Sequence, residues 1–180
     1  MTVARDDVLL AAAAVLVQNP GASMSEIAAG AGISRATLHR LVPGRDALVS
    51  ELVDLGIERG IEAIRSARVD EGSPREAVHR VIVAFVPFAD LFVLAGRVYA
   101  GADLFDRTDA MDSMLVELFR RGQRAGDFCV VQSATWMAEA LYALLTSAVR
   151  AAHGGRLAAG DIADVTERTL LAGIQEKEQP

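Results

Sequence analysis

The chain has 180 residues, 52% of them hydrophobic, with five prolines and a formal net charge of -6. That is enough for one good core, or for a small domain fused to a larger one, and it is too apolar for a disordered chain. Cys129 is the single cysteine, so no intrachain disulfide forms, in keeping with a reducing compartment.

Helical periodicity runs from end to end, β-branched alternation is missing, and most breaks carry Gly, Pro or Asp. The expectation is an all-α fold of about nine helices. The first spans Arg5 to Val17. Its apolar run, Val8 to Val17, is too short to cross a bilayer and follows Asp6 and Asp7, where a signal peptide would be basic. A cytoplasmic protein with no membrane partner is therefore expected. The second helix opens with Ser23 as cap and Glu26 three positions on, a capping box, and ends at Gly32. Ser34 caps the third, which reaches about Val42 before the Pro43–Gly44 break. The fourth runs unbroken from Asp46 to about Ala67.

Ser73 and Pro74 open the fifth helix, which continues to about Val86, where Pro87 forces a kink or a boundary. The sixth covers Phe88 to Tyr99. "GADLFDRTD" reads as a loop, and the seventh helix follows from about Ala110 to Arg124. The eighth covers Ser133 to Ala152, and the ninth starts at Asp161 and fades near Gln175.

Charge is unevenly spread. Residues 1–48 hold four Arg and four acids, net zero; residues 49–180 hold fourteen bases and twenty acids, net -6. Within the first segment no acid lies between Glu26 and Asp46, while Arg35, Arg40 and Arg45 all fall there. An acidic chain with one bare basic segment fits a local DNA-binding patch and not a whole-surface binder.

The third helix has two sides. Leu38, Leu41 and Val42 fall on one; Arg35, Ala36, Thr37, His39 and Arg40 fall on the other. The preceding turn has Gly32 for a tight reversal, with small Ala28 and Ala31 allowing close crossing. Cap, turn and core spacing together describe a helix-turn-helix with the third helix as recognition helix. Arg45, at the start of the fourth helix, is placed to meet a phosphate.

Val8 to Leu48, "VLLAAAAVLV…SMSEIAAGAGISRATLHRLVPGRDAL", resembles the DNA-binding domain of the tetracycline-repressor (TetR) family of bacterial regulators. "GQRAGDF", Gly122 to Phe128, resembles a recurrent segment of that family. The resemblance implies a homodimer on a palindromic double-stranded operator, usually a repressor, released by a small-molecule effector. It implies a DNA-binding domain over 1–48 and a ligand-binding and dimerisation domain over 49–180. The DNA-facing set is Ser34, Arg35, Ala36, Thr37, His39 and Arg40, with Arg45 on the backbone. The segment departs from the family in four places. His39 stands where Tyr is usual, Leu41 where His or Tyr often touches the backbone, and Val42 where Phe is usual; "QNPGAS" lacks a Gly-aromatic pair.

The same resemblance implies a ligand cavity among helices five to eight. Phe88, Phe92, Tyr99, Phe119 and Trp136 are its candidate lining. Asp90, Arg97 and Glu139 are assigned to the surface, so the expected ligand is largely apolar. The eighth and ninth helices carry broad apolar faces, Met137, Leu141, Leu145 and Val149 on one and Ile162, Val165, Leu170 and Ile174 on the other. These are read as the dimer interface.

No catalytic, metal or cofactor site is expected. His39, His79 and His153 are scattered without metal-ligand spacing, Cys129 has no His partner in sequence, and there is no Gly-rich phosphate loop. The rival reading is an all-helical carrier of apolar ligands without a DNA role. It accounts for a cavity but not for the acid-free Arg segment.

Overall fold

The computed structural model describes residues 5–98 and 102–174, with side chains from Arg107 onward in the second stretch. Among these residues there are nine α-helices. They are α1 (Arg5–Gln18), α2 (Met24–Gly30), α3 (Arg35–Leu41), α4 (Arg45–Ser66), α5 (Pro74–Phe85), α6 (Ala89–Val98), α7 (Ala102–Ala125), α8 (Ala134–His153) and α9 (Ile162–Ile174). The all-α expectation holds, and so do most helix ends.

The caps explain why. Ser23 and Glu26 form a full capping box, as do Ser73 and Glu76 ahead of Pro74. In both, hydrogen bonds from the capping serine hold the Glu carboxyl below the usual carboxylate range. Ser34 accepts from the Thr37 amide at 3.0 Å, and Ser133 from the Trp136 amide at 3.1 Å. The main departure is α7. It begins at Ala102, so the "GADLFDRTD" segment is mostly helix and not loop. Between Ala102 and Arg121 the helix holds no Gly or Pro, and the Asp residues of its first turns suit a helix start rather than a break.

α1 to α3 form a small bundle seated on α4 and α6. Gly30 is where α1 and α2 touch: a side chain there would strike Val15. Gly32 turns the chain into α3 at φ +69°, and the Ile33 amide reaches back to the Ala28 carbonyl at 2.9 Å. Val42 is buried, so the smaller residue still plugs this bundle.

α4, 22 residues and about 33 Å long, ties the bundle to the rest. Its inner face includes Gly56 and Gly60. A Cβ on Gly56 would lie 3.0 Å from Leu91 Cβ on α6; one on Gly60 would strike Met111 on α7. These glycines let three helices approach one line.

Pro87 lies in a single 3-10 turn, Val86–Phe88, which separates α5 from α6. Pro74–Val98 is the one described stretch long and apolar enough to cross a membrane by length and composition. Its apolar side chains are used elsewhere: Val78, Val81, Ile82, Phe85, Leu91 and Phe92 all lie in the core.

Candidate DNA interface and ligand cavity

α3 presents the two faces expected of it. Leu38 is fully buried and Leu41 half-buried, while Arg35, Ala36, His39 and Arg40 are exposed. Ser34 and Thr37 are less free than their hydroxyls suggest. Their oxygens are 2.9 Å apart, and Arg40 Nη2 donates to Thr37 Oγ1 at 3.2 Å. The pair fixes the helix start and aims the Arg40 guanidinium along the outer face.

Arg45 is placed differently from the phosphate contact expected of it. Its guanidinium donates to the Ala22 and Pro20 carbonyls of the α1–α2 loop. Those carbonyls have no helical partner, so a cation on α4 closes the loop that a Gly-aromatic pair would otherwise fill. The residue braces the bundle. Arg97, assigned to the surface, does similar work from the other side: its Nη1 donates to the Val17 carbonyl at 2.8 Å and, more weakly, to Leu16 at 3.4 Å. The last turn of α1 is thus held by the end of α6.

Between α6, α7 and α8 lies a cavity of about 640 Å³. Its size is that of a small-molecule site. Of the candidate lining residues, Phe92 is on its wall. Phe88 is in the core, against Phe85 and Phe92, and Phe119 packs on Phe128; neither lines the cavity. Trp136 is 56% exposed and does not line the cavity. Tyr99 lies outside the described residues.

The residues that do line it include Thr108, Asp112 and Val116 on α7 and Thr135, Glu139, Tyr142 and Thr146 on α8. Each set repeats at three to four positions, a polar edge beside an apolar stripe. That edge is the signal in sequence, and its exposed members, Asp109 and Glu139, look the same as a solvated surface until α7 is placed. The wall is mainly apolar, as an apolar ligand requires, but carboxylates are set into it. Asp112 accepts from Thr108 Oγ1 at 2.6 Å. Burial raises its pKa above the usual carboxylate value, and the nearby Asp109 and Glu139 raise it further, against the lowering effect of Thr108. Tyr142 is raised well above the ordinary phenol value, by burial first and by Asp112 second.

The interface residues named from sequence are not available for one. Met137, Leu141, Leu145, Val149, Ile162, Leu170 and Ile174 are buried within the subunit, and Val165 is half-buried. α8 and α9 pack on each other and on α7, α6 and α5, which consumes those faces. One subunit needs both apolar stripes for its own core. What α8 leaves outward is a narrower stripe: Trp136, Ala140, Leu144 and Ser147, exposed or half-buried at three- and four-residue spacing.

No family model matches the chain. It is 31% identical over 181 residues to the HTH-type transcriptional regulator NfxB of Pseudomonas aeruginosa, covering 95% of each chain. It is 27% identical over 173 residues to the HTH-type transcriptional repressor LfrR of Mycolicibacterium smegmatis, covering 94% of this chain and 89% of that one. The crystal structure of the TetR-like regulator LfrR from Mycobacterium smegmatis in complex with proflavine superposes with a TM-score of 0.72, at 26% identity over 96% of this chain and 97% of that one. A helix-turn-helix in keeping with relatives named for that motif, a fold shared with a TetR-like regulator and relatedness along nearly the whole length point one way: the chain belongs to the TetR family of DNA-binding transcriptional regulators.

Proposed function

We propose that the protein is a homodimeric repressor, acting in the cytoplasm, which leaves a palindromic operator when a small organic molecule fills the cavity. Residues 1–48 would form the DNA-binding unit and 49–180 the ligand and subunit unit. The observation that carries this is α3: a seven-residue helix with one face locked in the core and, on the other, Arg35, Ala36, His39 and Arg40 in the open, with no acid nearby. Ser34 and Thr37 orient that face and reach the backbone at its edge. Arg35, near the N-terminal end, is the base reader, and His39 and Arg40 lie where phosphates pass. The relative LfrR, solved with proflavine, supports a ligand-bound state in this fold.

Two subunits would meet through the outward stripe of α8, from Trp136 to Ser147, with the exposed side of α9 beside it. Trp136, 56% exposed, and Val131, five residues before it in sequence and 92% exposed, are the kind of apolar surface that a second subunit would cover. Two copies of α3 would then sit about 34–36 Å apart, one DNA turn.

The test is selection of bound duplexes from a random pool, followed by titration of the selected site. Two subunits neutralising roughly six to eight phosphates give a slope of log K against log salt of about -5 to -7. Arg35→Ala is expected to relax preference at one position of each half-site, at about 1–3 kcal/mol. Failure to enrich any sequence, together with a slope near zero, would leave a ligand carrier as the better account.

A further inference from the structure

We propose that the cavity takes an organic cation, bound by Asp112 with Asp109 and Glu139 around it and with the rings of Phe92 and Tyr142 as its apolar bed. This names the chemical class of the effector in the function proposed above and rests on that reading.

Four observations carry it. The first is charge. The cavity has three carboxylates, Asp109, Asp112 and Glu139, and one guanidinium, Arg120, a formal balance of -3 + 1 = -2. The second is pairing. Nine ion pairs are formed among the described residues, and none of the three carboxylates takes part. The same helices do satisfy other acids in this way: Glu117 with Arg124, Asp54 with Arg107, Asp90 with His153. Of the cavity acids Asp109 and Glu139 are exposed, and Asp112 is the partly buried one left without a basic partner among the described residues.

The third is a poorly satisfied hydroxyl. The Tyr142 hydroxyl is shut off from solvent, lines the cavity and interacts with neighbouring Asp112 without reaching good hydrogen-bond geometry. A buried hydroxyl so weakly partnered costs free energy. A ligand N–H, or a shift of the ring as a ligand enters, would improve its pairing.

The fourth is the bed. Phe92 and Tyr142 meet edge to face at 5.6 Å and continue into Phe85 and Phe88, so aromatic faces flank the acids. A cation over such rings is attracted by their quadrupole as well as by the carboxylates.

The chemistry excludes as much as it admits. A fatty acid, acyl thioester or other anion would bring like charge against Asp112, which is partly buried in a mainly apolar wall where repulsion is less screened than in water, and against the more exposed Glu139 at its edge. A neutral apolar molecule would fit the wall and leave the carboxylates unpaired. A lipophilic cation answers both parts. Its charge favours ionised Asp112, so binding should release a proton from the fraction of molecules in which that carboxyl is still protonated.

The experiment compares two tricyclic probes on the full-length protein by titration calorimetry at neutral pH: proflavine, a cation, and acridone, a neutral ring system of similar shape. Proflavine is expected to bind about ten-fold tighter or more, a difference one unit charge a few ångströms away readily supplies. Asp112→Asn should cost proflavine about ten-fold and Glu139→Gln about three-fold, with acridone changing less than about two-fold in both. Asp70→Asn, exposed and outside the cavity, should change neither. Glu139 is also exposed, so its variant keeps the test alive if Asp112→Asn perturbs folding.

Equal affinity for the two probes overturns the inference, as does a parallel loss of both in the variants, which would mark a site of shape alone. Binding of neither probe also overturns it. Operator release is measured separately. Charge-dependent proflavine binding that leaves the operator complex intact would uphold the cation site and sink the effector role.

Discussion

Gly122→Ala should be among the most damaging single-methyl changes in this protein. Gly122 is buried near the end of α7, and a Cβ on it would lie 3.0 Å from Phe128 Cγ and nearer still to Cδ2 and Cε2. The obstacle is a ring and not a flexible chain end. Phe128 is 1% exposed and rests on Phe119 at 5.7 Å, so it has no free direction in which to retreat. Its own backbone is fixed by amide bonds from Asp127 and Phe128 to the Gly122 carbonyl, at 3.0 and 3.3 Å, and by the Cys129 amide on the Ile174 carbonyl at 2.7 Å. Overpacking a core of this kind costs about 1–3 kcal/mol, and the rigidity here argues for the upper end. For a chain of this size about 3 kcal/mol corresponds to a drop in Tm of roughly 6–12 °C. Thermal unfolding at fixed protein concentration reads it directly. Phe128→Leu in the Gly122→Ala background should recover part of the loss, because the smaller side chain leaves the methyl its space. A shift below about 2 °C, or strict additivity of the two changes, would refute the steric account.

Three other outcomes are expected. Arg97→Met keeps the stem but removes the donors to the Val17 and Leu16 carbonyls; ligand affinity should stay within about two-fold while the ratio of operator affinities with and without ligand falls roughly five-fold, measured by anisotropy. Asp112→Asn should raise Tm at neutral pH. The folded state raises the pKa of this carboxyl, so wild-type stability falls as pH rises from the ordinary carboxylate value of 3.8 through the raised one; the advantage of the variant should therefore shrink on acidification toward 3.8 and vanish below it, and an advantage independent of pH would contradict the assignment. Leu145→Glu should unfold the subunit, since a carboxylate would be buried without a partner, whereas Leu144→Glu on the outward stripe should give a folded monomer; sedimentation with circular dichroism separates them, and a folded Leu145→Glu monomer would restore the buried face as the interface.

How far the sequence led depended on the range of the interaction. Caps and turns are local, and Ser23, Ser34, Ser73, Gly32 and Pro87 marked their boundaries within a residue or two. α3 could be divided into an inner and an outer face because one helix wheel suffices for that. The roles of Arg45 and Arg97 were out of reach: each is set by a carbonyl 23 or 80 residues away, and a cation in sequence does not show whether it faces a phosphate or its own backbone. The cavity failed for a related reason. Glu139 is exposed, as expected of it, and also borders the cavity; only the position of α7 makes that edge of α8 a cavity wall. The subunit face was misjudged because apolar stripes on α8 and α9 do not announce how many neighbours they already satisfy.

The Val86–Phe88 turn has a mechanical meaning beyond breaking a helix. Only three residues join α5 to α6, and Phe85 and Phe88 on either side are locked into the aromatic cluster. α6 therefore has little freedom to slide along its axis, and a rotation about its anchored end is the motion left to it. It has ten residues, about 15 Å from the pivot to its far end. Ala95 and Gly96, near that far end, border the cavity, and Arg97 comes immediately after. A swing of about 5° carries that end about 1.3 Å over such a length, a large fraction of the 2.8 Å that separates Arg97 from the Val17 carbonyl. Such a swing would turn angle at the cavity into distance at the foot of the α1–α3 bundle, with the aromatic cluster as fulcrum.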